Sequence, residues 1–491
     1  MSSQAGQVFQ ESRWAERQRA FAERMGTRAV SDLESGTIVV VPSITFPVAE
    51  LAKITAAQFY EERLLFLTLL LGRPGLRMVY VTSVPVDPAV IDYYLGYTAD
   101  PAGARERLAL VSLDDAVPRP LSEKLLGRPD GLAAIAQKAG DPDDACVVTF
   151  NVNPAELAAC QALGLPLYGP TPDVAARLGS KSGARRLARR AGVDVLEGAE
   201  DLFSVDALDA AVAAIRSRRP TADAVVVKLN NGFSGQGSAM VDLGCEASRP
   251  LGLMSAPTTF CAAEESWPSF AAKVAAEGAI VEEMLSRPGT VSPSVQLHVS
   301  PAGSFEVVST HDQVLGAPGQ QVYVGCRFPA DASYRRLITE AAEKVAELAA
   351  AERVVGSFGI DFLVSPEEKR VWLSEINLRM GGTTHPFWMA RLATDGTYDA
   401  ATGNLVAGGV AKAYVATDNF KSPSLVGRTT ASVIDSVADA GLAFDPATAT
   451  GTTLHLLGAV PGYGKMGATC IGDSPEQAEE LYRRVAALLV G

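Results

Sequence analysis

The sequence predicts an α/β and α+β protein: a Rossmann-like N-terminal domain, two α+β subdomains after it, and a small C-terminal α+β lobe. Three observations lead there. From Thr37 to about residue 170, short Val/Ile runs alternate with helical patterns, as in parallel strands covered on both faces. Between residues 180 and 285, helices interleave with strands closed by glycine turns. Beyond these, two alternating hairpins flank the amphipathic segment 333–352, whose apolar residues recur at helical spacing. The expected units are 1–172, 173–285, 286–411 and 412–491.

In the first unit the strands are "TIVVVPS", "RMVYVTS", "ARERLALVSL", "ACVVTFNV" and "GLPLYG", with a buried helix at Leu64–Leu71. No GxGxxG follows the first strand, which disfavours a dinucleotide. In the second unit, basic helices at 180–192 and 205–219 precede "DAVVVKL", the loop "NNGFSGQG" and the strand "GAIVEEML". In the third, "SPSVQLHVSPAGSFEVVSTHDQVL" is a hairpin around "SPAG", and "SFGIDFLVS" with "KRVWLSEINLR" is a second around "PEEK". The last unit contains "KAYVAT", "TTLHLLGAV" and a final helix.

Composition narrows the class. With 491 residues, 47% apolar and 20% charged, the chain is a multidomain globular protein. Its longest apolar run is far shorter than a bilayer span and no signal peptide is evident, so a cytoplasmic protein without membrane association is expected. A net charge of −13 disfavours nucleic acid. Six dispersed cysteines predict free thiols, and four unpaired histidines predict no zinc.

The chemistry concentrates at four places. In the second hairpin, Asp361 falls opposite Ser374 or Glu375, while Glu375, Asn377 and Arg379 share one face. Two carboxylates and an amide make a hard-oxygen set suited to Mg²⁺; a solvated outer face gives the same alternation. Lys228 ends an apolar strand, where an amine is costly unless it meets an anion. Gly232, Gly235 and Gly237 then free the backbone to approach phosphates, with Ser234 and Gln236 as further donors. In "VEEML", Glu282 and Glu283 offer carboxylates to an adenine amino group, and Met284 and Leu285 cover its face.

The order Lys181 in "GSKSGARRL", Lys228 with "GFSGQG", "VEEML", "GIDF" and "EINLR" resembles the ATP-grasp enzymes, in which two α+β subdomains clamp ATP. The resemblance implies ATP and Mg²⁺ as cofactors, with Lys181 and Lys228 on the phosphates, Ser234 to Gly237 as a lid, and Glu282 to Leu285 at the adenine. Asp361, Glu375 and Asn377 match the metal positions, and Arg379 matches a cation facing the reacting carboxylate or acyl phosphate, catalytic together with Lys228. Gly359 stands where some such ligases carry arginine, and Ser286, Arg287 and Pro288 supply no acid for the ribose.

Closer still, "VVVPSITFPVAELAKITAAQFYEERLLFLTLLL", "VVKLNNGFSGQG", "VSTHDQVLGAPGQ" and "LRMGGTTHPF" resemble peptide ligases of the pheganomycin-biosynthesis type. That likeness implies antibiotic biosynthesis, with an amino acid donor, a guanidino-bearing phenylglycine-like acid among them, and a peptide acceptor. For these substrates the expected contacts are His311, Asp312, Gln313, Arg327, Gly381, Gly382, Thr383, Thr384 and His385; a structural role for the two histidines is the alternative. Competing readings are a carboxylase or small-metabolite ligase with the same clamp and a non-catalytic nucleotide-binding protein. The sequence leaves the oligomeric state open, a homo-oligomer included.

Overall fold

A computed structural model describes residues 2–491 except 233–236, 245–251, 263, 286–288 and 317–321; side chains at 2–11, 49 and 50 are outside the description. The N-terminal sheet comprises β1 (Ser35–Val41), β2 (Gly75–Thr82), β3 (Leu108–Ser112) and β4 (Ala145–Thr149). Its order is β3-β2-β1-β4, with every pairing parallel. Val39, Val79 and Val147 are buried on one face and Ile38, Tyr80 and Val148 on the other. Burial on both faces explains the unbroken apolar runs. "GLPLYG" contributes only an isolated bridge, Val147 to Leu167. The buried helix expected at 64–71 lies within Ala57–Gly72, wound in the tighter 3-10 form.

The second sheet contains β5 (Gly198–Leu202), β6 (Ala224–Leu229), β7 (Ser238–Asp242), β8 (Thr258–Phe260) and β9 (Ala279–Glu283), in the order β5-β9-β6-β7-β8. It packs on the helices Val205–Arg218 and Trp267–Glu277 through Val225, Val227, Ile215 and Phe270.

The third sheet carries the expected hairpins as β10 (Pro293–Val299) with β11 (Phe305–Gly316), and β13 (Gly356–Ser365) with β14 (Arg370–Asn377), around β12 (Val322–Phe328). It continues into β15 (Thr397–Asp399), β16 (Asn404–Ala407), β17 (Val410–Lys421), β18 (Gly451–His455) and β19 (Lys465–Gly472). The division expected at residue 412 therefore falls inside β17, which pairs with β12, and the sheet is continuous there.

Alternation along β13 positions the site. Phe358, Ile360 and Phe362 enter the core beneath the helix Ala332–Ala351, beside Ile338 and Val345. Gly359 and Asp361 therefore face the opposite side. Ile376 of β14 joins the same core, turning Glu375 and Asn377 outward with Asp361. Among the described residues, no helix is long and apolar enough to cross a membrane. The five described cysteines are free and buried.

Candidate functional site

Asp361 and Glu375 are direct cross-strand partners, with a register shift immediately after Asp361. Gln313 Nε2 donates to Asp361 Oδ1 at 2.8 Å, and Asn377 Nδ2 donates to Asp361 Oδ2 at 3.0 Å. Arg379 lies just past β14 and donates through Nη2 to Asn377 Oδ1 at 2.9 Å. Its guanidinium carbon stands 5.9 Å from the ring centres of both Phe46 and Phe150, within cation–π range. Met380 N also donates to Phe150 O at 3.0 Å, so the end of the N-terminal sheet fixes the arginine's segment.

Lys181 opens the helix Lys181–Arg190, whose first turn is capped by Ser180 accepting from Gly183 N. Its ammonium reaches Glu375 Oε1 at 2.6 Å and Gly232 O at 3.0 Å. One residue thus ties the helix, the start of the glycine loop and β14 together. Lys228 donates to Glu282 Oε1 at 2.5 Å and lies 3.5 Å from Ser374 Oγ.

Burial, then the charge of Glu375, pushes the Asp361 carboxyl well above the usual carboxylate range. Burial acts the same way on Glu375, but Lys181, followed by Arg379 and Lys228, outweighs it and leaves that carboxyl below its ordinary value. Burial lowers the Arg379 guanidinium's pKa. Two adjacent carboxyls and an amide oxygen form a hard-oxygen donor set for a divalent cation, and the cations Lys181, Arg379 and Lys228 near them suit a polyphosphate.

The Glu282 carboxylate is 2% exposed; one oxygen accepts from Lys228 and the other from Arg185 Nη1 at 2.8 Å. Glu283 is partly buried, 3.7 Å from Arg219. Met284 and Leu285 are partly buried after β9, with Met284 N bonded to Ala224 O. Ser234, Gly235 and Gln236 lie outside the described residues, while Gly237 is described, in the left-handed region at φ 78°.

Alternation turns Asp312 and its cross-strand partner Arg327 away from Asp361. Asp312 accepts from Tyr334 Oη at 2.7 Å, and Arg327 meets Glu479 at 3.1 Å. His311 is on the site face but fully buried, with Nε2 2.6 Å from Tyr414 Oη. Thr383, Thr384 and His385 form the buried start of the helix Thr384–Ala393, and Thr384 Oγ1 accepts from Gly381 N. The gap at Gly382 is filled by Tyr323, whose ring would lie 2.6 Å from an added Cβ; Gly381 faces open space.

His385 Nε2 and His455 Nε2 both reach Asp418 Oδ1, at 3.0 and 2.7 Å, while Arg63 pairs with Asp418 Oδ2. Sequence spacing gave no sign of this cluster, whose possible ligand atoms lie within 4.8 Å of one another. Asp418 gathers the three groups into one buried hydrogen-bonded cluster, with Arg63 Nε and His385 Nδ1 left without partners among the described residues.

Sequence reasoning also missed Arg185 and Phe150. Arg185 is one helical turn beyond Lys181, a spacing that places both on one face. Phe150 follows a parallel strand's carboxyl end, the usual side for ligands in such sheets. A cavity lies beside Arg379, between Phe150, the helix Ala57–Gly72 and the helix Thr384–Ala393.

Two family descriptions match the chain: "IQCH-like, ATP-grasp" over residues 256–401 and "PGM1 C-terminal domain" over 432–485. The L-propargylglycine--L-glutamate ligase of Streptantibioticus cattleyicolor is 31% identical over 472 residues, covering 93% of this chain and 94% of its own. IQ motif-containing protein H of Danio rerio is 22% identical over 51% of this chain and 27% of its own length. Among solved structures, biotin carboxylase from Campylobacter jejuni superposes with a TM-score of 0.57 at 15% identity, covering 92% of this chain and 91% of that one. An N5-carboxyaminoimidazole ribonucleotide synthetase gives 0.52 at 13% identity, covering 92% and 96%. The solved structures establish the fold alone, and the near full-length relative carries the family: this chain belongs to the ATP-grasp ligases, ATP-dependent enzymes that form carbon–nitrogen bonds.

Proposed function

We propose that the chain joins an amino acid carboxylate to the amino terminus of a peptide, with ATP converted to ADP and phosphate, in the biosynthesis of a peptide antibiotic. The observation that carries this reading is the Asp361–Glu375 pair, set between Lys181 and Arg379. The relative named for joining L-propargylglycine and L-glutamate supports amino acid substrates.

A carboxylate does not acylate an amine near neutral pH because its leaving group would be oxide. Its oxygen attacks the γ-phosphorus of ATP, the bond to the β,γ-bridging oxygen breaks, and ADP departs. The amine then attacks the acyl carbon, phosphate leaves with the C–O electron pair, and the amine loses a proton. Asp361 and Glu375, with the Asn377 amide, would hold Mg²⁺, which neutralises phosphate charge when bound. Lys181 and Lys228, now bonded to Glu375 and Glu282, would pass to phosphate oxygens, and Arg379 would orient the acyl group. The glycine loop, residues 232–237, would cover the phosphates and exclude water from the acyl phosphate.

The test is product analysis by mass spectrometry, with ADP release, on amino acids and short peptides supplied with ATP. Glu375→Gln should cut ADP release by at least about 100-fold while leaving the melting transition cooperative. Undiminished ligation by that variant would refute the metal assignment, and phosphate release requiring an acid but joining no amine would refute the ligase reading.

A further inference from the structure

The cavity beside Arg379 is unevenly made. One wall is Phe66, Leu67 and Leu70, from the helix Ala57–Gly72; the other is Met380, Trp388 and Leu392. Ser31, Thr149, Asn151 and Ser357 add neutral polar groups to the lining. At one end stands Arg379, the only charged side chain among the described lining residues; burial keeps His298 neutral, with a pKa of about 4. Nε2 of His298 is already 2.7 Å from Tyr168 Oη. Among the described residues, no aspartate or glutamate lines the space.

From this asymmetry we infer that the cavity receives the side chain of the acyl donor, and that the donor is an amino acid with a branched alkyl or aryl side chain whose carboxylate faces Arg379. The inference rests on the carboxylate–amine ligase reading above. Two physical points support it. Apolar walls reward transfer of apolar surface from water and give nothing to a charged side chain. A guanidino-bearing donor would bring a second cation beside Arg379 with no carboxylate among the described lining residues to pair it, which burial makes costly. The geometry is continuous with the chemistry: Arg379, at the cavity's edge, is bonded to Asn377, and Asn377 to Asp361.

The experiment supplies alanine, leucine, phenylalanine, arginine and aspartate separately as donors, with ATP, Mg²⁺ and a mixture of short peptides. Phosphate release and amide products are followed, and melting shifts are recorded with each acid and a non-hydrolysable ATP analogue. Leucine or phenylalanine should exceed arginine and aspartate at least tenfold in kcat/KM. Leu392→Trp should lower the phenylalanine-to-alanine ratio of kcat/KM at least tenfold; if it melts early, Leu392→Phe provides the same comparison. Amide formed best from arginine or aspartate, or a ratio unmoved by the folded variant, overturns the cavity assignment and leaves the ligase reading standing. Leucine and phenylalanine raising the melting temperature and driving phosphate release, with no amine joined, supports the cavity assignment and overturns the ligase reading. If no acid drives turnover, melting shifts decide: a shift with leucine or phenylalanine but not arginine supports the inference, and any other pattern overturns it.

Discussion

A methyl group at residue 382 and one at residue 381 should have opposite consequences. The first would lie 2.6 Å from the Tyr323 ring, closer than packed atoms tolerate, whereas the second meets nothing within 4 Å. Gly382→Ala is expected to cost roughly 1–3 kcal/mol through overpacking, and Gly381→Ala close to nothing, in paired urea melts. An equal loss at both positions would show that the Tyr323 contact is not what selects glycine. The same scale separates legible from illegible chemistry. Asp361, Glu375, Asn377 and Arg379 were readable because a strand's period and a hairpin turn place them relative to one another. The fates of Glu282, Asp312 and Arg327 were not, since each is settled by a partner distant in sequence: Arg185, Tyr334 and Glu479.

At the scale of elements, β6, β9 and the helix Lys181–Arg190 are joined by the ion group Lys228–Glu282–Arg185. Arg185 is fully buried and also reaches Glu200 and Leu196 O. Arg185→Ala should therefore destabilise by about 3–5 kcal/mol, the usual result of stripping one partner from a buried group, measured as the free energy of urea unfolding. A loss below about 1 kcal/mol would mean that water replaces the guanidinium. Element types and order were legible from periodicity, including both hairpins and the amphipathic helix, observed at Ala332–Ala351. The 3-10 winding at Ala57–Gly72 was not, because an apolar run without helical periodicity fixes burial but not the pitch.

Across the whole molecule, the N-terminal domain is bound to the C-terminal sheet by buried acids. Glu62 Oε2 accepts from Gly458 N at 3.0 Å, and Arg63 pairs with Asp418. Burial, which outweighs that hydrogen bond, pushes the Glu62 carboxyl up to about 8. Between its ordinary value and 8, the folded chain keeps a proton that the unfolded chain has released, so this group's contribution to stability falls as pH rises through that window, by at most about 1.4 kcal/mol per pH unit. Glu62→Gln should flatten the decline in urea-melt stability between about pH 5 and pH 8; an unchanged slope would assign it to other groups. The sequence by itself determined the layered α/β and α+β architecture, the order of the nucleotide-binding motifs and the paired acids of the second hairpin, because these follow from local periodicity and short-range register. Only the tertiary structure decided that Glu282 is bound within an ion group, that β17 carries the third sheet across residue 412, and that Phe150 and the helix Ala57–Gly72 close an apolar cavity on Arg379. Those outcomes depend on which faces meet when distant segments pack, and a one-dimensional pattern specifies that each face is buried without naming the surface that covers it.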